Sequence, residues 1–279
     1  MISHARWSIE ELLARYDLEP QLTDVFVEGN FDKEVLTEAF SGISREAIFY
    51  DIGAVNVPAE LLAAHGLTSG NKQRVVALSR ELGNLAVEAR VKCLVDRDLD
   101  HWFETLEDSP RLRWTRFCGI DSHFITAEVV LDLVIKTARA KVPDSASLIE
   151  SIFDNLKLLY ALRLADRELA FSLKWVALDK YLRREGSALR LDSERYVHAT
   201  LSSNARLSNK HDFLSAMDRW LKSINGDLRL SSRGHDYSEL LASAINEFKG
   251  HRAFSDQSAI ERLFVLLAKT THSLAEELN

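Results

Sequence analysis

The chain has 279 residues, of which 46% are hydrophobic and 28% charged, and its formal net charge is −7. This is a globular composition, which excludes dominant disorder, and the length suffices for one large domain or two ordinary ones. No stretch approaches the roughly 20 apolar residues that span a bilayer, and only two cysteines occur, Cys93 and Cys118. Both fall in β-like apolar runs, which suits reduced, buried thiols and a cytoplasmic location.

The charge is unevenly divided. Residues 1–125 hold 13 Lys+Arg against 21 Asp+Glu, net −8, and residues 126–279 hold 22 against 21, net +1. Within residues 183–233 the balance is 10 basic to 6 acidic, net +4. A nucleic-acid contact is more plausible there than in the acidic half.

In chain order, the opening "MISHARWSIEELLARY" interrupts its apolar residues with Glu10, Glu11 and Arg15. It reads as an amphipathic helix and not a secretion signal. "TDVFVEGN" (23–30) is a β-branched run closed by a tight loop, and "FDKEVLTEAF" (31–40) places Phe31, Val35, Leu36, Ala39 and Phe40 on one helical face. "EAIFYDIG" (46–53) is a second strand, followed by a polar loop and the helical segment 71–89. "RVKCLVD" (90–96) is a third strand and "LRWTRFCGI" (112–120) a fourth. Strands alternating with helices imply an α/β domain with a mostly parallel sheet of about four strands, whose ligands sit at the carboxyl ends of the strands. From residue 126 onward the periodicity is helical, with breaks at Pro143, Gly186, Gly226, Gly234 and Gly250. The expected organisation is an α/β unit over 1–125 and an all-α region over 126–279.

The chemistry concentrates in "VKCLVDRDLDHWF" (91–103), where an apolar strand ends in Asp96, Asp98 and Asp100. Like charges at that spacing repel unless something positive lies among them. Glu28 ends the first strand, and carboxylates at adjacent strand ends fall within several ångström of one another. Asp96 and Asp98 face one side if the chain is still extended there. Such a set suits a hard divalent cation, Mg²⁺ or Mn²⁺. Three other readings compete, the third being a degenerate site that no longer binds metal. In the first, Asp98 or Asp100 caps the following helix. In the second, a Ca²⁺ loop runs from Asp96 to Glu107, but it has His101 where glycine is required.

"VFVEGNFDKEVL" followed about 65 residues later by "CLVDRDLD" resembles the Toprim module shared by bacterial primases, topoisomerases and the overcoming-lysogenization-defect (OLD) nucleases. The likeness covers roughly residues 20–125. "SGNKQRVVAL" and "SSRGHDYSELL" further resemble the stand-alone Toprim-like proteins encoded beside ABC-type ATPases in phage-defence operons. The resemblance implies that Glu28 acts as general acid or base and that Asp96 and Asp98 hold Mg²⁺, with Asp32 matching a second acidic position of the first motif and Asp100 extending the pair. Asp121 in "CGIDSHF" is a candidate for a further acidic position, and His235 and Asp236 are candidates near the helix opened by Gly234. Asp236 reads most simply as a cap of that helix, and Asp32 equally well as a helix-terminal charge.

Lys72 and Arg97 are candidate phosphate contacts. Arg111, Arg113 and Arg116 alternate with apolar residues and would make one strand face basic. The resemblance implies a Mg²⁺-dependent endonuclease acting on RNA, tRNA in particular. It also implies an ABC-type ATPase as a separate partner, since the chain has no P-loop motif, and a homodimer when active. The alternatives are an OLD-type DNA nuclease and a non-catalytic Toprim module that binds the ATPase.

Overall fold

The structure is a computed structural model that describes residues 6–41 and 47–278. Residues 1–5 of the predicted first helix and Glu46 of the predicted second strand lie outside the described residues. The chain divides into two compact units, Met1–Ile120 with Val265–Asn279, and Asp121–Phe264.

The first unit is built on a four-stranded sheet of order β2-β1-β3-β4. Its strands are β1 (Thr23–Val27), β2 (Ala47–Asp51), β3 (Lys92–Val95) and β4 (Leu112–Trp114). Every pairing is parallel, with Val25 opposite Phe49, Phe26 opposite Cys93, and Val95 opposite Trp114. Strands buried on both faces read as continuous apolar runs, and Val25, Phe26 and Val27 are all buried.

Helix α1 (Ile9–Leu18) begins with a reciprocal cap: Ser8 Oγ accepts from the Glu11 N–H at 3.2 Å, and Glu11 Oε2 accepts from the Ser8 N–H at 2.7 Å. It buries Leu12 and Tyr16, and the Tyr16 hydroxyl donates to Asp24 at 2.9 Å. Helices α2 (Asn30–Phe40), α3 (Ala59–Ala64) and α4 (Asn71–Glu81) complete the crossovers. The short α3 occupies the stretch read from sequence as a polar loop. Leu12, Phe26, Ile52, Val75, Leu78, Cys93 and Val95 share one apolar core. The carboxyl ends of the strands are thereby fixed to one edge of the sheet.

The end of the chain returns to this unit. The turn His272–Glu276 packs on α2, Lys92 Nζ donates to the Leu278 carbonyl at 3.1 Å, and both carboxylate oxygens of Glu277 accept from the Arg116 N–H at 3.0 Å. The helical periodicity of this tail concealed its return, because periodicity reports which face is apolar and not what covers it.

The second unit contains α5 (Ala127–Val130), which continues into π-helical turns over Leu131–Thr137, and α6 (Ser145–Glu168). Next come the hairpin strands β5 (Leu182–Glu185) and β6 (Ala188–Leu191), then α7 (Ser193–Ser203), α8 (Lys210–Ser223) and α9 (Gly234–Glu247), while α10 (Gln257–Ala268) begins in this unit and ends in the segment assigned to the first. α6 buries Leu148, Ile152, Leu156, Leu159, Tyr160 and Leu162 and packs on α8, α9 and β6.

The hairpin corrects the expectation that everything after residue 126 is α-helical. Gly186, at φ 62°, turns the chain, and Leu182 and Leu189 face inward between exposed arginines. Asn155 Nδ2 donates to the Leu189 carbonyl at 2.8 Å, and Ser151 Oγ accepts from the Leu189 N–H at 3.0 Å, which ties the strand to α6. Among the described residues, no helix is long and apolar enough to cross a membrane.

Candidate active site

Glu28 directly follows β1 and Asp96 directly follows β3, its sheet neighbour, so both lie at the carboxyl edge of the sheet. Glu28 Oε1 accepts from the Asp96 N–H at 2.9 Å, and Asp96 Oδ1 accepts from the Ile120 N–H at 3.3 Å. Beyond Asp96 the chain stops being extended. Asp98 takes φ 45°, a left-handed conformation that aspartate tolerates better than most residues, and its N–H donates to the Cys118 carbonyl at 2.8 Å. Asp100 opens a 3-10 turn over Asp100–Trp102. The condition for Asp96 and Asp98 to project to one side as an extended pair is therefore not met, and the two aspartates take different partners.

Those of Asp98 and Asp100 include Lys72. From the first turn of α4, Lys72 Nζ lies 3.1 Å from Asp98 Oδ2 and 2.6 Å from Asp100 Oδ2. Its side chain is 17% exposed, and Nζ stands 5.3 Å from the centre of the Trp114 ring. The positive charge that the aspartate run demands is, in this arrangement, an ammonium. Burial would by itself lower the Lys72 pKa, but Asp98 and Asp100 beside it carry the value above that of an ordinary lysine.

Glu28 moves the other way. Burial, reinforced by the negative charges of Asp98 and Asp100, pushes its carboxyl up to about 7, against the opposing pull of the Asp96 N–H and Lys72. At neutral pH it is divided between acid and carboxylate, the condition in which a side chain best exchanges protons.

The other candidates named from sequence have other placements. Asp32 Oδ2 accepts from the Gly29 N–H at 3.1 Å and caps α2. Arg97 is turned onto backbone, its Nε donating to the Thr115 carbonyl. Arg111 is buried, with guanidinium bonds to the carbonyls of Leu85, Ala86 and Ala89. Arg113 is exposed and lines a cavity of about 850 Å³ with Thr23, Ala47 and Lys92, the first residues of β1, β2 and β3, which places it at the edge opposite Glu28. Arg116 lies past the end of β4 and pairs with Glu276. The continuous basic strand face is absent because β4 is only three residues long and Arg111 is used internally. Glu107, the last position of the Ca²⁺ register, is held by Arg80 at 2.6 Å.

In the second unit, Asp121 lies against the Cα of Gly234: a Cβ there would come within 1.8 Å of Asp121 Cγ. Asp236 does not cap α9. It is buried and paired with Arg163 at 3.1 Å, and the Arg163 guanidinium lies 4.0 Å from the Trp175 ring centre. His235 Nδ1 is 2.6 Å from Gln257 Nε2.

The donor set of Glu28, Asp96, Asp98 and Asp100 consists of carboxylate oxygens, the ligands that Mg²⁺ and Mn²⁺ prefer, and the cluster attracts a cation, as Lys72 demonstrates. As arranged, the carboxylates are turned to protein donors: among the described residues, no three Asp, Glu, His or Cys side chains form a ready-made metal cage. The chemistry fits the ion, and seating it requires the carboxylates to turn toward it. Lys72 was legible in sequence as a candidate phosphate contact and not as the partner of the aspartates; the signal for its pairing was the unneutralised aspartate run itself. No protein-family model matches the chain, and no curated protein is significantly similar to it.

Proposed function

We propose that the protein is a Mg²⁺-dependent endonuclease of the Toprim class. Its proposed role is that of a defence effector cleaving RNA, tRNA in particular, like the stand-alone Toprim effectors of the AriB type in PARIS systems. The observation that carries this reading is the Glu28–Asp96–Asp98–Asp100 cluster at the carboxyl edge of a parallel sheet, with Glu28 hydrogen-bonded across to Asp96. When bound, the divalent ion neutralises the phosphodiester and acidifies a water. Asp96, Asp98 and Asp100 would hold it.

Glu28 handles the proton. Its Oε1 is fixed by the Asp96 N–H, so Oε2 takes the proton of the attacking water as a P–O bond forms to the water oxygen and the bond to the leaving sugar oxygen breaks. The same carboxyl, protonated, then returns a proton to the leaving oxygen. A toxic nuclease without a P-loop needs external control, and an ABC-type ATPase that restrains the chain, with release as a homodimer, supplies it.

The competing reading is a non-catalytic module that binds such an ATPase. The closure of Asp98 and Asp100 on Lys72 favours it, since that cluster is satisfied without a metal. Expression of the wild type beside Glu28→Ala separates the two. The nuclease reading expects growth arrest and new RNA 5′ ends, concentrated in tRNA, with the wild type only. Equal growth and intact nucleic acid in both leaves the binding module, and broken DNA with intact RNA leaves an OLD-type nuclease.

A further inference from the structure

The cavity of about 850 Å³ in the first unit, at the edge of the sheet opposite Glu28, has the volume of a small-molecule site. Its walls carry four basic residues, Arg90, Lys92, Arg111 and Arg113, and one acidic residue, Asp24. Asp24 does not offset them. It is 1% exposed, and its Oδ2 already accepts from the Tyr16 hydroxyl at 2.9 Å and from Arg15 at 3.2 Å. Such a concentration of cations stands out within a stretch whose net charge is −8.

The sheet register gathers them. Arg113 of β4 lies opposite Leu94 of β3, and Lys92 precedes Leu94 by two residues, so Lys92 and Arg113 share one face. Lys92 donates to the Leu278 carbonyl, which satisfies a hydrogen bond and none of its charge. Arg90 and Arg113 are exposed. Arg111 is buried, its guanidinium bonded to the neutral carbonyls of Leu85, Ala86 and Ala89 while its Nε has no hydrogen-bond partner. Among the described residues, Arg90, Arg111 and Arg113 pair with no carboxylate. Charge set in a protein wall is costly until an anion meets it. A single carboxylate would leave most of this charge unmet, whereas each phosphate group carries about −1.5 to −2 at neutral pH and presents the oxygens that an arginine fork fits. Ile48 and Val87, also on the cavity wall, are 47% and 92% exposed and offer apolar surface for an uncharged portion to cover.

We propose that this cavity binds a small organic phosphate of nucleotide size, as a site separate from the acidic cluster and independent of its metal chemistry. Arg90, Lys92 and Arg113 contact the phosphates, Arg111 adds its charge from within the wall, and Ile48 and Val87 pack against the uncharged part of the ligand.

Isothermal titration calorimetry of the full chain in metal-free buffer tests this, with ADP and UDP as probes and pyrophosphate as a probe of charge alone. At least one of the two nucleotides should bind with a Kd of about 100 µM or tighter, and about tenfold more weakly after Arg90→Gln or Arg113→Gln, the loss expected for a charge-assisted hydrogen bond. Both arginines are exposed, and circular dichroism checks that the variants are folded. Arg113→Lys should recover part of the loss. Arg195→Gln, which removes an exposed arginine of α7, should leave the affinity unchanged. Four results would each overturn the proposal: neither nucleotide binding the wild type, an affinity unchanged in both glutamine variants of the cavity, pyrophosphate binding as tightly as the nucleotides, or equal weakening by Arg195→Gln.

Discussion

Glu28 carries the most testable single-residue chemistry. Its carboxyl is raised to about 7 by burial, whereas in the unfolded chain it titrates near the ordinary value of about 4.5. The folded state therefore holds a proton that the unfolded state gives up across this window, and stability falls as pH rises from about 4.5 to 7. Each unit of displacement corresponds to about 1.4 kcal/mol. Glu28→Gln, which keeps an acceptor for the Asp96 N–H and never ionises, should gain about 2 kcal/mol over the wild type at pH 8 in metal-free buffer and nothing at pH 4. Parallel urea denaturations at the two pH values measure this. A constant difference between the proteins would show that Glu28 titrates as it does in water. At the same scale, the sequence made Glu28, Asp96, Asp98 and Asp100 legible as one cluster because strand ends in a parallel sheet converge. It did not reveal that Asp98 turns left-handed and meets Lys72 with Asp100, since local backbone conformation at a non-glycine residue leaves no periodic trace.

Among the elements, the helix α9 is fixed by two features that its "RGHD" start discloses only in three dimensions. Gly234 has no room for a side chain beside Asp121, so Gly234→Ala should destabilise the chain by about 2 kcal/mol or more through overpacking. Arg163 of α6 is the partner of the buried Asp236, and removing one member of such a pair strands the other charge. Arg163→Met should cost about 3 kcal/mol, and the double change with Asp236→Leu should recover most of it, because it is the unpaired charge and not the absence of the pair that is expensive. Thermal melts of the three variants decide both; a double variant no better than the single would mean that packing on Trp175 matters more than charge. The parallel strands were legible as short β-branched or apolar stretches between helical segments. The β5–β6 hairpin was not, because two four-residue strands rich in leucine and arginine fit a helical period as well as an extended one.

For the molecule as a whole, the first unit is discontinuous in sequence, and its integrity depends on the last residues of the chain. Leu274 is fully buried in that unit, so Leu274→Ala should cost about 3 kcal/mol, more than substitutions on a dispensable tail would. A melting temperature unchanged by this substitution would show that the returning segment is not part of the unit's core. The net charge of the first 125 residues, −8, makes the approach of nucleic acid unfavourable in the absence of divalent cations, so binding and cleavage should respond together to metal. The most direct test is cleavage of purified total tRNA by the isolated chain in Mg²⁺, read as new 5′ ends. The account expects fragments with the wild type that disappear with chelator and with Glu28→Gln. Fragments of equal yield from Glu28→Gln, or none from the wild type on tRNA and DNA alike, would contradict it.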